Sequence, residues 1–285
     1  MATLTVQSPS TVTRNRSFRF RPGLAFSLVF LSLVIIAAIW PQFLASGDPL
    51  DTDASKFNQA PSAEHWAGTD IQGRDIYTRI IYGARYSLSI GLGATIIGIG
   101  GGIILGVLSG VAGKFVDALI SRTVDVLAAF PSILFALVVI GLLGTSVQNL
   151  IIALGISTIP AYARVVRGQT MQVVDSGYVE QAATFGISRP RIILRHILPN
   201  ALGVVPGVAT IELGRSIMGA AALSFIGLGP QGPTPEWGLM LSESRDFLRV
   251  APWWGIAPGI VLTLTIISAT VVGRYLQASY EKRNR

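Results

Sequence analysis

Long apolar stretches alternate with short polar ones along nearly the whole chain. Six of these stretches reach or approach the length of about 20 residues that crosses the hydrocarbon core of a bilayer. They predict spans near residues 24–43, 88–111, 123–144, 147–166, 201–228 and 255–275. The pattern therefore predicts an all-α polytopic membrane protein with six transmembrane helices.

Composition supports a membrane protein and argues against a built metal centre. Of the 285 residues, 51% are hydrophobic and only 13% are charged, whereas soluble domains carry about 25% charged residues. The chain has no cysteine, so a thiolate metal site is excluded. The two histidines, His65 and His196, are far apart and fall on opposite predicted sides of the membrane, so we expect no metal site.

Charged residues segregate by loop. The basic groups are Arg14, Arg16, Arg19 and Arg21, then Lys114 and Arg122, the stretch 164–195, and finally Arg274, Lys282, Arg283 and Arg285. The intervening loops hold most of the acids. Because basic loops stay in the cytoplasm, both termini are predicted to be cytoplasmic. The net charge of +7 is thus explained by topology, and nucleic acid is not expected as a partner.

These boundaries divide the chain into five predicted parts. They are a cytoplasmic tail (1–23), a first transmembrane helix (24–43), an extracytoplasmic loop (44–87), a five-helix core (88–275) with a cytoplasmic loop at 167–200, and a cytoplasmic tail (276–285). The first helix is too long for a signal-peptide core, so we interpret it as a retained anchor. The polar part of the loop predicts an irregular cover that buries little. Ile76 to Tyr86 predicts either a helix lying in the membrane interface or a plain helix preceding the span.

Glycine and proline indicate how the spans pack and bend. Gly98, Gly102, Gly106 and Gly110 recur at every fourth position, a spacing that lets another helix backbone approach closely. Pro131 and Pro160 lie within predicted spans and should bend them, and Pro206 lies near the start of another.

Ionisable groups at membrane depth are candidates for function. Each costs about 2.5–3.5 kcal/mol at a helix centre, so exposure to lipid is not expected. Glu212 and Arg215 are three residues apart and could form a pair. They would either line a substrate pathway or make an internal structural ion pair. Asp125 is expected at the cytoplasmic interface beside Arg122.

The stretch "YVEQAATFGISRPRIILRHILPN", residues 178–200, interrupts the hydrophobic pattern. Asp175 or Ser176 can cap a first helix, and Gly186 suits its left-handed end. A second helix would start at Ser188 and end at Pro199. The first helix has small and bulky residues around one carboxylate, namely Tyr178, Glu180, Gln181, Ala182, Ala183 and Phe185. It could dock another protein, or it could be an ordinary amphipathic connector.

This stretch resembles the EAA loop of ABC importer permeases. The matching positions are Glu180, Ala182, Gly186, Leu198 and Pro199, whereas Gln181 and His196 depart from the usual pattern. Three further stretches resemble the C-type permeases of dipeptide and oligopeptide importers: "HWAGTDIQGRDIYTRIIYGARYSLSIG", "AAFPSILFALVVIG" and "LSFIGLGPQGPTPEWGLMLSESRDFLRVAPWW". The resemblance covers most of residues 65–265. It departs at Ala220, where the family often has an acid, and in the C-terminal tail.

The resemblance implies a type I importer permease fold and a non-enzymatic transport subunit in a bacterial or archaeal plasma membrane. The implied partners are a second homologous permease, two ABC ATPase subunits, an extracytoplasmic solute-binding protein and membrane lipid. ATP and Mg²⁺ would be bound by the ATPase subunits, with no cofactor in this chain. Glu180 would hold the ATPase contact, Ala182 and Ala183 would permit close approach, and Gly186 would set the angle to the second helix.

The extracytoplasmic end of the fifth span allows two interpretations. Glu236 and Arg245 could contact the binding protein, whereas Trp253 and Trp254 suit the membrane interface.

The sequence does not identify the transported solute: dipeptides, oligopeptides, nickel complexes and other solutes all fit. The alternative function is a stand-alone ion-coupled transporter that uses Glu212 and Asp125 as coupling groups.

Overall fold

The computed structural model describes residues 22–283, with side chains to residue 280, as a bundle of α-helices. The predicted tail 1–23, with its four arginines, lies outside the described residues except for Pro22 and Gly23, as do residues 284–285 at the other end. The α-helices are α1 (Pro22–Ile39), α2 (Pro41–Leu44), α3 (Ile76–Val111), α4 (Lys114–Ala129), α5 (Ser132–Leu143), α6 (Val147–Val174), α7 (Gly177–Thr184), α8 (Arg189–Ile192), α9 (Leu198–Ala201), α10 (Val205–Phe225), α11 (Trp237–Ser244) and α12 (Pro252–Arg283).

Five stretches of the described chain are helical, long and apolar enough to cross a membrane. They are Pro22–Ile39, Ile76–Val111, Val147–Val174, Arg189–Phe225 and Pro252–Tyr280. A sixth is added if α4 and α5 count as one broken span. The predicted polytopic all-α class is therefore confirmed.

The span predicted at 123–144 is not one continuous helix. α4 and α5 meet at an angle of 87°. Pro131 disfavours helical geometry in the residue before it, and Phe130 is accordingly extended, with φ −85° and ψ 134°. The bend expected at Pro131 is thus present, and it is sharp enough to divide the span.

α3 joins two elements that the sequence pattern left separate. It runs without a break for 36 residues, from Ile76 through the predicted span to Val111. The Asp75 carboxylate caps its start by accepting a hydrogen bond from the Thr78 N–H at 2.7 Å. No helix breaker separates Tyr86 from residue 88, so the helix continues. The 76–86 stretch is therefore the first part of a long helix and not a separate interfacial one.

The glycines that recur at every fourth position of α3, hereafter the glycine stripe, pack against α6. A β-carbon added to Gly102 would lie 2.2 Å from Cβ of Tyr162, and one added to Gly106 would lie 2.7 Å from Cβ of Val166. Only hydrogen atoms fit between the backbones at these points, so the predicted packing role of the stripe is confirmed.

The loop at residues 45–75 contains buried charges, which corrects the expectation that it buries little. Asp70 and Arg74 are 0% and 2% exposed, and Nε of Arg74 lies 2.6 Å from Oδ2 of Asp70. Both Arg74 and the fully buried Arg79 of α3 also reach Oε2 of Glu243 on α11, at 3.4 and 3.2 Å. Burial is tolerated because the charges compensate one another. This ionic cluster joins the loop to α3 and α11.

The tryptophans before α12 are also more enclosed than expected. Trp254 is 1% exposed, and its ring packs against Phe247 with centroids 5.2 Å apart. The side chain therefore fills the core between α11 and α12, and its position at the depth of the membrane interface stays a prediction. Trp253 is half-buried.

Candidate functional site

α7 is a two-turn helix that follows α6 almost directly. Ser176 occupies the position before its first residue with extended geometry, as predicted for a cap. Its hydroxyl, however, donates back to the Val173 carbonyl of α6 and accepts no hydrogen bond from α7. The hydrogen bond thus closes the junction between α6 and α7.

The two faces of α7 differ in character. Val179 and Ala182 point inwards and pack with Ile192 and Ile197 in a small apolar cluster. The exposed residues include Tyr178, Glu180, Gln181, Ala183 and, just after the helix, Phe185. Because Ala182 is only 7% exposed, its predicted role in partner contact is wrong: it packs α7 onto its own chain. Ala183 keeps the small exposed surface.

The exposed face of α7 offers groups suited to a protein partner. Phe185 is 84% exposed and Tyr178 is 44% exposed. The Glu180 side chain makes no hydrogen bond or ion pair within the described part of the chain. Together the exposed side chains of Tyr178, Glu180 and Phe185 give a charged and apolar surface, hereafter the α7 face.

Gly186 ends α7 as predicted. Its φ of +76° lies in the left-handed region, which glycine adopts without a steric penalty. The Ile187 N–H donates to the Ala182 carbonyl at 3.2 Å, and the Gly186 N–H donates to the Ala183 carbonyl at 3.0 Å. This double closure is a Schellman motif, and it sets the direction in which the chain leaves α7.

The helix after Gly186 does not end at Pro199. It passes from α8 through a π-helical turn, Ile193–Ile197, into α9. Pro199 cannot donate the regular backbone hydrogen bond, and a wider turn accommodates that loss. The predicted end at Pro199 is therefore wrong.

Two hydrogen bonds anchor this second helix to the bundle. Nη2 of Arg189 donates to the Val111 carbonyl at the end of α3, at 3.1 Å. The Tyr280 hydroxyl of α12 donates to the Asn200 carbonyl at 2.9 Å. A movement of α7 would therefore be transmitted to α3 and α12 as well as to α6.

Glu212 and Arg215 form the predicted ion pair, and their role in lining a substrate pathway stays a prediction. Nη1 of Arg215 lies 3.4 Å from Oε2 of Glu212, so the two side chains pair. The Glu212 residue is 8% exposed, but the Arg215 side chain is 69% exposed, near the middle of α10. The hydroxyl of Tyr162 on α6 is buried without a hydrogen-bond partner among the described residues. The pair therefore presents a cation on the helix surface.

Two further ion pairs connect α4 to α6. Asp125 pairs with Arg164 at 2.9 Å, and both side chains are exposed. Its predicted position at the cytoplasmic interface beside Arg122 stays a prediction. Asp117 and Arg167 form a stronger contact, with Arg167 Nε and Nη2 at 2.6 and 2.7 Å from the two carboxylate oxygens. Sequence reasoning missed this contact, because no periodicity links residues fifty positions apart on different helices.

Glu236 and Arg245 occupy very different environments. The Glu236 carboxylate caps α11 by accepting from the N–H groups of Gly238 and Leu239 at 2.9 and 2.8 Å. Burial raises the pKa of Glu236, while these backbone hydrogen bonds lower it. At 1% exposure Glu236 cannot contact a binding protein, so that prediction is wrong. Arg245 is 62% exposed beside Asp246 and remains a candidate.

Residues 102–285 match the family described as "Binding-protein-dependent transport system inner membrane component". The chain is 41% identical over 256 residues to the dipeptide transport system permease protein DppC of Alkalihalophilus pseudofirmus. The alignment covers 90% of this chain and 84% of that protein. It is 38% identical over 256 residues to the glutathione transport system permease protein GsiD of Pectobacterium atrosepticum. That alignment covers 90% of this chain and 85% of GsiD.

The fold also matches a solved ABC transporter. One similar structure is a chain of the inward-facing MetNI methionine ABC transporter, at a TM-score of 0.59 and 18% sequence identity. The match covers 71% of this chain and 96% of that one. At this identity the similarity concerns the fold alone.

Proposed function

The chain belongs to the family of binding-protein-dependent transport system inner membrane components, and we propose that it forms half of the translocation pathway of a di- and oligopeptide importer. It is a multi-pass inner-membrane permease subunit of an ABC importer. Relatives named for dipeptide and glutathione transport support a peptide substrate.

The α7 face carries this proposal. It presents Glu180, Phe185 and Tyr178 at the surface, the Glu180 carboxylate has no partner among the described residues, and Gly186 sets the direction in which the chain leaves this helix. We assign to it the contact with an ABC ATPase subunit. The basic loops around α7 support a cytoplasmic position, where that subunit and its ATP would be available.

Closure of two ATPase subunits would shift α7 and its counterpart on a second permease. α7 is joined to α6 through Ser176, and the following helix is tied to α3 by Arg189. The displacement would therefore rotate packed helices as rigid bodies and switch the pathway between inward and outward opening. ATP and Mg²⁺ would be held by the ATPase subunits, and this chain would catalyse no reaction.

The opposite end of the bundle would receive a solute-binding protein. Exposed Arg245 is the candidate contact there, beside a loop whose position is secured by the ionic cluster of Arg74, Arg79 and Glu243. The buried cluster would supply a rigid support for docking, whereas the charged surface around Arg245 would make the contact.

Copurification tests the ATPase contact. The tagged chain would be expressed with its neighbouring genes as wild type, Glu180→Arg and Asp246→Arg. The last variant is a matched control, because it reverses an exposed carboxylate at the other end of the bundle. We expect ATPase subunits to copurify with wild type and Asp246→Arg, and to be reduced at least about tenfold with Glu180→Arg, the effect of losing one charged contact.

Two results would refute the proposal. One is equal recovery of ATPase subunits with all three chains. The other is solute uptake by the purified chain alone, without ATP, which would support the ion-coupled alternative with Glu212 and Asp125. Equal amounts of membrane-inserted chain in the three preparations are required for the comparison.

A further inference from the structure

An arginine occupies the exposed side of a membrane-spanning helix near its centre. α10 covers residues 205–225, and Arg215 lies midway along it with 69% of its side chain exposed. Met218 and Ala222 continue the same exposed face towards the end of the helix. The face is otherwise apolar, so the guanidinium is its one charged group among the described residues.

Lipid is a poor neighbour for this position. Charged side chains are rarely exposed to lipid at the centre of a membrane-spanning helix, and Arg215 lies ten residues, about 15 Å of helix rise, from either end of α10. Its exposed side must therefore meet water or a polar group. In a permease, a water-filled pathway at the membrane centre supplies that environment.

The pair with Glu212 leaves most of the guanidinium available. Arginine has five N–H donors in a planar fork, and Glu212 accepts one hydrogen bond, at a long 3.4 Å. Glu212 is buried on the inner side of α10 and pairs with Arg215 from that side. The remaining guanidinium donors are therefore left for the exposed side.

We propose that Arg215 binds the C-terminal carboxylate of a peptide as the peptide passes the middle of the membrane. This inference rests on the proposed importer function and names the substrate group that the pathway recognises. A guanidinium fork matches a carboxylate in charge and in two-point geometry.

Glu212 would also limit how tightly the carboxylate is held. A transport site must attract its substrate yet release it. The Glu212 carboxylate partly neutralises the charge of Arg215. A substrate carboxylate is therefore attracted less strongly than it would be by an unpaired arginine. Release towards the cytoplasm would then need no large change at the arginine itself.

The test uses the complete complex in proteoliposomes, with second permease, ATPases and binding protein. ATP-dependent uptake is measured for one dipeptide and for its C-terminal amide, each at a concentration that saturates the binding protein. We expect Arg215→Gln to slow uptake of the free acid about tenfold, the usual effect of losing a charged hydrogen bond, and to leave the amide within about twofold. Glu212→Gln should retain the preference for the free acid.

Several outcomes would overturn the inference. Equal slowing of both peptides by Arg215→Gln would mean that Arg215 contacts an acidic residue of the second permease or only holds Glu212. Loss of the free-acid preference in Glu212→Gln would likewise indicate a structural pair. If Arg215→Gln does not assemble, Arg215→Lys decides: its single ammonium should slow the free acid severalfold and spare the amide, and an unchanged ratio refutes the site.

A different result is expected if the proposed importer function itself is wrong. In that case the wild-type complex takes up neither peptide with ATP, although the purified binding protein binds both. ATP-dependent uptake with a ratio insensitive to Arg215 refutes the carboxylate site alone.

Discussion

Arg167 and Asp117 form a two-point ion pair between α6 and α4, with N–O distances of 2.6 and 2.7 Å. The same carboxylate accepts hydrogen bonds from Ser109 of α3 at 2.5 Å and from Ser121 of α4 at 3.2 Å. Three helices therefore meet at one aspartate. Since α6 continues into α7, this contact links the α7 face to the broken α4–α5 unit.

The charge pair can be tested by reversal. Asp117→Arg and Arg167→Asp should each lower the free energy of unfolding by about 2 kcal/mol, because one charge loses its partner. The double variant should recover about half of that loss, since the pair is restored but the serine hydroxyls are left without their acceptor. Thermal unfolding of the purified chain in detergent measures this. Additive losses in the double variant would show that the two residues are not coupled.

The packing of α3 on α6 predicts a loss of stability for alanine at one glycine and none at a nearby one. Gly102→Ala should destabilise the chain by about 2 kcal/mol, because the new methyl group would overlap Cβ of Tyr162. Gly100→Ala should cost nothing, since no atom lies within 4 Å of its added β-carbon and alanine favours a helix. Unfolding temperatures of the two variants give the comparison. Equal shifts would contradict close packing at Gly102.

The turn at Gly186 predicts a local effect. Gly186→Ala should open the turn about fivefold more often, because a left-handed alanine costs about 1 kcal/mol. No atom lies within 4 Å of the added methyl group, so the cost is confined to the backbone. Limited trypsin cleavage after the exposed Arg191 measures the opening.

Gly177→Ala is the matched control for this turn. Gly177 is the first residue of α7, also has open space around it, and lacks a left-handed φ. Its cleavage rate should equal that of wild type, and Gly186→Asn should lie between the two because asparagine tolerates this conformation. Equal rates for Gly186→Ala and Gly177→Ala would argue against a strained turn.

The buried ionic cluster predicts a large loss for one arginine. Arg79→Met should destabilise the chain by about 3 kcal/mol, because it leaves the Glu243 carboxylate with less compensation. Adding Glu243→Gln should restore part of that loss. Arg245→Met, which removes an exposed arginine beside Asp246, is the control and should change stability by less than about 0.5 kcal/mol. A similar loss in both single variants would mean that the cluster does not stabilise the loop.

The local features of the α7 segment were predictable from sequence, whereas its orientation was not. Gly186 was identified as a helix end because glycine adopts the left-handed region without penalty, and the structure places it there. Ala182 was assigned to the partner surface because it is small. The structure buries it, since only the packing of α7 on Ile192 and Ile197 decides which side faces inwards.

Burial of polar side chains shows the same limit. Glu236 and Arg245 were both predicted as contacts of a binding protein, yet one caps a buried helix and the other is exposed. Trp254 was predicted to lie at the membrane interface from its residue type, which did not indicate that its ring packs against Phe247 in the core. Side-chain type indicates which environments a residue tolerates, but neighbouring elements determine which of these it receives.

The amino-acid sequence by itself determined that the chain lies in a membrane, where most of its helices run and where α7 ends. These features depend on hydrophobic length and on the local preferences of glycine, and both act over a few consecutive residues. Only the tertiary structure decided that α4 and α5 break at 87°, that Asp117 meets Arg167, and that Arg215 stays exposed in front of a buried Glu212. Those relationships join residues on different helices or different faces, and packing alone selects among the many pairings that local preference allows.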